Sequence, residues 1–426
     1  MNHFKIRAFF SQKNWPWLLS SIFILILLSL NNLLWKEHTI NSETDILFKI
    51  RGGRKISQKI LFINLAEEDI QKLGGWPITR DYYGYLTHIL TEKGARVIGF
   101  DLLFDRRDQT YPEFDSMLAR FIKVSGSVCL PLVFSNIIEI QEKINNRLPA
   151  KTGKGENPIL PVKIFRKSAA ALGFSNLGNQ AVIRKIPLAV SSGDSVLFSW
   201  GVQLAHQYLN PAVPIEINSK QIILQDSDNR KILIPLDPRA RVRLNYFGAL
   251  NNITCMGFVN FLKIQEESPD SLNLRGKIVL IAPTSASLPV IKSTPLGELF
   301  PASLIHATLT ENIIFQNYIR EVPFWIDVLL IIVFIAIISL LCQIKNTRLC
   351  LTITTGVIVL YLLLAVGIFK YKNTALPIFH PFAAVLITSL YWIWQKKRRQ
   401  NRNLSLRSDV LSTHLQEKQK QLLEAQ

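Results

Sequence analysis

The stretch from Gly75 to Phe104, GWPITRDYYGYLTHILTEKGARVIGFDLLF, reads as one cap, one helix and one strand. Trp76-Pro77 stiffens the entry, and Thr79 stands where an N-cap hydroxyl accepts from the free amides of a first turn, with Asp81 near the positive helix end. Tyr82, Tyr85, Leu86, Ile89 and Leu90 recur three and four residues apart and so predict a single apolar face, which Gly94 ends by taking a left-handed conformation. Arg96 to Phe100 is a short continuous apolar run, the pattern of a parallel strand covered on both faces. Asp101 is left at its carboxyl end, with Asp105 and Asp108 close behind. Open α/β sheets bind ligands at that edge. An Asp that only caps a loop leaves the same trace, so both readings stay open.

Working outward, 48% hydrophobic residues and a positive mean hydropathy place part of the chain in lipid. Of the net charge of +18, +7 falls between Lys36 and Glu321 and +11 in the flanks, beside apolar runs. Such clusters read as topology signals and contacts to anionic lipid, and no basic patch with interleaved aromatics suggests nucleic acid. Arg239, Arg241 and Arg243 read as the outer face of a strand alternating with Val242 and Leu244. The four cysteines lack metal-ligand spacing, so neither a zinc site nor any other metal or cofactor is expected. Cys129 and Cys255 fall in the expected exported region, each as a small buried thiol or as half of a disulfide.

Residues 1–14 carry Lys5, Arg7 and Lys13 with no acid, and residues 15–35 are long and apolar enough to span a bilayer as an uncleaved anchor. Residues 36–321 then form the expected extracytoplasmic domain. Three further spans are expected at 322–342, 349–369 and 375–394, giving four transmembrane helices with both termini inside, fixed by Lys396-Lys397-Arg398-Arg399. Asp327 reads as an interfacial acid or a proton relay, and His380-Pro381 as a kink. Residues 395–426 form a basic tail too short for a catalytic domain, where Leu404, Leu411, Leu415 and Leu422, interrupted by Ser408 and Lys418, allow a weak dimeric coiled coil.

Within the large domain, strands are expected at Ile60–Leu65 and Val128–Phe134, and a helix at Phe114–Ile122. Residues 137–160 read as a loop or insertion, Leu197–Leu209 as a helix, and Ile215–Phe247 as a β-hairpin region turning at Asp226–Asn229. Gly276-Lys277 precedes a strand where a phosphate-binding loop would follow one, which argues against nucleotide binding. The fold class is therefore α/β, a mostly parallel sheet with helices on both faces and an added hairpin region, joined to four membrane helices.

Leu73, Gly74, Trp76, Pro77, Arg80, Gly99, Phe100, Asp101 and Phe104 resemble the signature LG-x-WP-x-x-R, helix, G-F-D-x-x-F of the CHASE2 family of bacterial extracytoplasmic sensor domains. Gly173, Asn176, Arg184, Pro187 and Leu188 extend the likeness, as do Gly276, Lys277, Thr294 and Pro295 in GKIVLIAPTSASLPVIKSTP, and His306-Ala307, so that it covers roughly residues 45 to 315. The resemblance implies a receptor in the bacterial plasma (inner) membrane that drives a cytoplasmic kinase or cyclase, here in trans or through a domain beyond the tail, with homodimerisation compatible. It departs from the family at Leu65-Ala66-Glu67, at Asn179–Ala181, at Ala282 and at Val290, where acids or a glycine are expected. A carboxylate cluster that would hold a cation or a polyamine-like ligand is thereby reduced to Glu67, Arg80, Asp101 and Asp105. Arg80 and Asp101 are expected at the same sheet edge, joined as an ion pair or contacting ligand. A membrane scaffold and a membrane-bound ectohydrolase using Asp101 or Asp105 are the alternatives to a sensor.

Overall fold

A computed structural model describes residues 37–138, 148–248, 250–268, 271–284, 291–297, 299–342, 344 and 346–424. The first expected span and Val290 lie outside them. The chain divides into two compact units, Phe48–Arg320 and the segments before and after it.

The helix over 37–51 (α1) leads into the larger unit. There follow β1 (Ile60–Leu65), α2 (Glu67–Lys72), α3 (Arg80–Glu92), β2 (Val97–Phe100), α4 (Pro112–Ser125) and β3 (Val128–Ile138). Next come β4 (Lys154–Ile159), α5 (Lys163–Ser168), β5 (Ala171–Phe174), β6 (Ala189–Ser192), β7 (Ser195–Phe198) and α6 (Trp200–Leu209). β8 (Thr254–Gly257), α7 (Phe258–Glu267), β9 (Ile278–Pro283) and α8 (Ala302–Phe315) complete the central architecture. The sheet runs β8-β1-β9-β2-β3-β4-β6-β7, with β5 also on β3. Pairing is parallel from β8 through β3 and antiparallel at β3/β4 and β6/β7. The mostly parallel sheet expected from the apolar runs is therefore present. Residues 137–160 are a correction: they hold the end of β3 and all of β4, a polar antiparallel edge that composition alone does not separate from a loop.

Alternation decides the layers. Ile63, Leu65, Ile98, Phe100, Leu130, Val279 and Ile281 enter one apolar cluster with Leu86 and Leu90 of α3, Leu118 and Ile122 of α4, and Phe258 of α7. The residues between them face α6, where a Cβ on Gly99 would stand 2.7–2.9 Å from Leu280, Leu204 and Trp200, so only glycine fits. Gly173 likewise lets β5 approach the Trp200 backbone. The hairpin region is a three-stranded ribbon of Glu216–Ile217, Gln221–Gln225 and Lys231–Pro235, while Arg241–Arg243 pairs with Lys185–Pro187. Arg243 is buried, unlike the exposed face predicted for it.

The other unit contains α9 (Phe324–Leu341), α10 (Thr347–Lys372) and α11 (Phe379–Glu424). α9 and α11 pack through Ile331, Ile335 and Ala384 and through Phe334, Ile338 and Val385. Among the described residues two helices, not four, are long and apolar enough to cross a membrane, Phe324–Leu341 and Arg348–Lys372. The fourth expected span, 375–394, misses that measure because α11 begins at Phe379, so its apolar part before Gln395 is only about 24 Å long.

Candidate functional site

The carboxyl ends of β8, β1, β9 and β2 form the edge to which the sequence assigned ligand binding. The turn entering α3 uses Gly74 and Gly75 at φ +95 and +104, followed by a cis Trp76-Pro77 bond. Trp76 is 42% exposed and so does not serve the core. Thr79 occupies the N-cap of α3, but its side chain makes no cap hydrogen bond, which corrects the expected capping hydroxyl. The buried face of α3 is also turned from the predicted one. Tyr83 is buried against Phe100 and Phe104, whereas Tyr85 is 45% exposed. Gly94 ends the helix at φ +75, as predicted.

Arg80 and Asp101 do reach the same edge, and they are not paired. Arg80 Nη1 lies 2.7 Å from Asp115 Oδ1 on α4, its other terminal nitrogen donates to the Arg106 carbonyl, and its guanidinium sits 5.3 and 5.2 Å from the Phe104 and Phe165 ring centres. Asp115 is 1% exposed and also accepts from the Asp108 amide at 3.1 Å. These contacts belong to the α3/α4 side of the sheet. Asp101 falls between Phe100 and Leu102, both members of that side's cluster, so its carboxylate points to the opposite side. One step of alternation separates the two charges.

On that opposite side the edge carries a polar row. The Asp101 amide donates to the Ile281 carbonyl at 2.8 Å and holds the residue in register. Its partly buried carboxyl has no hydrogen bond or ion pair among the described residues, and burial pushes its pKa up to about 6. Asn64 donates to Thr284 Oγ1 at 3.4 Å and accepts from Cys255 Sγ at 3.5 Å. Ala282 sits between β1 and β2 at the level of Asn64. Asn64 and Thr284 are missed by a search for charged residues; the signal available in sequence was a lone polar residue inside one apolar strand and another directly after a second.

The remaining predicted residues are dispersed. Glu67 is exposed in the first turn of α2, and Asp105 is exposed 3.8 Å from Arg106. Asn176 has a structural role: its amide accepts from Phe134 N at 2.8 Å and donates to Phe134 O at 2.9 Å, fastening β3. Gly276, at φ +71, donates to the Gly94 carbonyl, and the Lys277 carbonyl accepts from Arg96 N, which sets β9 beside β2. Arg184 accepts through its carbonyl from Leu244 N, and Thr294 and Pro295 are buried. His306 is fully buried edge-on to Trp200 and meets the Ser175 carbonyl at 3.1 Å, with burial holding its pKa down to about 4. Cys129 and Cys255 are free thiols four strands apart, about 19 Å, so they do not bridge.

A family model described as the CHASE2 domain matches residues 19–341. The chain belongs to the CHASE2 domain family. CHASE2 domains are extracytoplasmic sensors, so the large α/β unit is a sensor unit. No curated protein and no solved structure matches the chain.

Proposed function

We propose that this CHASE2 protein is a multi-pass sensor of a bacterial plasma membrane, with its large unit outside, both termini inside, and a cytoplasmic kinase or cyclase as the partner it drives. The observation that carries the reading is the extent of the family match, which runs from residue 19 through the sensor unit and to the end of the apolar helix α9. The basic cluster at Lys396–Arg399 supports an inward tail, and with it a four-span arrangement. Cys255 tests the topology directly because it is exposed in the sensor unit. In intact cells producing the chain with its other cysteines changed to Ser, a membrane-impermeant maleimide should label Cys255. Labelling that appears only after lysis overturns the outward placement.

The ligand-facing surface is proposed to be Asp101 with Asn64 and Thr284, since Arg80 is engaged by Asp115. With an acid replaced at Ala66 and an acidic element replaced near Asn179–Ala181, a cation site here is weakened. Titration of the full chain in nanodiscs with Ca²⁺ or spermidine should show no tight binding; tight binding lost in Asp101→Ala would reverse that. The engagement of Arg80 also favours a second reading, a scaffold that holds a membrane partner without sensing. A partner captured equally by wild type and by Asp101→Ala, with no signal-dependent output, would select it.

A further inference from the structure

The amino end of the sheet, opposite the Asp101 edge, carries a row of cations assembled from distant parts of the sequence. Ile60, Ile278 and Val97 are register partners on the adjacent strands β1, β9 and β2, and the residues before them are Lys59, Lys277 and Arg96. The pairing extends through these residues: Ile278 N donates to the Lys59 carbonyl and Arg96 N to the Lys277 carbonyl, each at 2.8 Å. Three cations on neighbouring strands therefore start within about 10 Å of one another. Arg275 joins them from the turn packed on Gly94, where an added Cβ would stand 3.6 Å from its backbone. Lys59, Arg96 and Arg275 are exposed, and Lys277 is half-buried.

None of these four cations is in an ion pair among the described residues. Glu92 reaches back along α3 to His88 at 3.4 Å, and Glu267 back along α7 to Lys263 at 3.7 Å. Arg96 donates to the Tyr208 and Leu209 carbonyls at the end of α6, at 2.6 and 3.2 Å, and so keeps its full charge at the surface. Lys59 Nζ lies 5.4 Å from the Tyr208 ring centre and 5.5 Å from that of Phe315, the last residue of α8 and 43% exposed. Unpaired cations around an exposed aromatic ring match a bilayer interface, where phosphates meet the charges and the ring sits at the headgroup level.

We propose that this amino edge is the lipid-facing surface of the sensor unit and takes the anionic phospholipid headgroups of the leaflet that α9 enters. Chain continuity selects that occupant. The chain reaches the sheet through Lys59 and comes back to the same edge at Phe315, and apolar α9 begins nine residues later, a tether of at most about 30 Å. Such a tether keeps the edge at high effective concentration over lipid, an advantage that no soluble polyanion shares. Seated this way, the unit turns the Asp101 edge, at the other ends of the same strands, towards solution. The proposal rests on α9 crossing the membrane and stands whether or not a ligand binds at Asp101.

The test uses the full chain in nanodiscs, its cysteines changed to Ser, with a fluorophore at Gln58→Cys on the amino edge or at Gln109→Cys beyond the carboxyl end of β2, both exposed positions. Headgroup-nitroxide lipid should quench the Gln58 label in discs of phosphatidylcholine with phosphatidylglycerol, and 0.5 M salt should return it to the level of pure phosphatidylcholine, the Debye length having shrunk to about 4 Å. Each cation at an anionic surface is worth about a fivefold change in partition, so Lys59→Gln, Arg275→Gln and Lys277→Gln together should also bring the signal to that level. The Gln109 label should stay bright throughout. Equal quenching at Gln58 in the two lipid compositions overturns the proposal, as does quenching that survives in the triple variant or that is matched at Gln109; if the triple variant does not fold, the composition and salt arms decide. A label at the exposed Leu329→Cys of α9, read with a nitroxide deep in the acyl chains, separates the two levels of failure. An unquenched Leu329 label removes the membrane reading and this proposal together, whereas a quenched one beside an indifferent Gln58 label removes this proposal alone.

Discussion

The two faces of the sheet edge treat a charged residue in opposite ways. On the α3/α4 face, Arg80 is enclosed by Phe104 and Phe165 and joined to a buried Asp115. On the α6 face, Asp101 is partly buried with nothing among the described residues to neutralise it. Both residues belong to the same signature, Arg80 at the start of α3 and Asp101 just past the end of β2. The difference teaches that neighbouring positions of one motif can meet opposite environments: Arg80 fastens adjacent helices, and Asp101 is held without a counter-charge among the described residues, at a cost in stability.

The largest test breaks the satisfied side. Asp115→Ala leaves the Arg80 guanidinium between two rings without its counter-ion and should cost about 3–5 kcal/mol. Hydrogen exchange of the Val97–Phe100 amides in the full chain would read it, and a loss under about 1 kcal/mol would remove the contrast. Asp101→Asn should act in the other direction. The folded carboxyl titrates near 6 against an ordinary 3.8, so the native state keeps its proton where the unfolded chain has released it. Stability due to this group is full below about pH 4, falls as pH rises to about 6 and stays lower beyond, at most by about 3 kcal/mol. The Asn variant should flatten that dependence and be the more stable protein at pH 7, as urea titrations at pH 4 and 7 would show.

A smaller effect sharpens the packing of the Asp101 face. Gly99→Ala forces a methyl to within 2.7–2.9 Å of Leu280, Leu204 and Trp200 and should cost about 1–3 kcal/mol, seen as faster exchange in β2 and β9. The smallest concerns Thr79. Its hydroxyl makes no cap bond, so Thr79→Ala should change stability by less than about 0.5 kcal/mol, where a working cap would lose about 1.

Much of this protein was legible without coordinates. The apolar runs at Ile60–Leu65, Val97–Phe100 and Ile278–Ile281 declared buried parallel strands because that pattern is local, and the glycine stop at Gly94 was visible for the same reason. The identity of the family lay in short motifs spread from Leu73 to Ala307. The buried face of α3 was less legible, since Tyr82, Tyr83 and Tyr85 offer near-equal apolar surface and only the packed rings of Phe100 and Phe104 choose Tyr83.

By itself, then, the sequence determined the order of elements, the parallel sheet, the carboxyl edge and the apolar helices, all set by periods of two and 3.6 residues that need no distant partner. Only the tertiary structure decided which charges meet. Arg80 finds Asp115 and not Asp101 because one residue of alternation puts Asp101 through the sheet to the other side. Glu43, Asp327 and His380 converge although more than 330 positions separate the first from the last, because helix packing brings together residues that no local pattern relates.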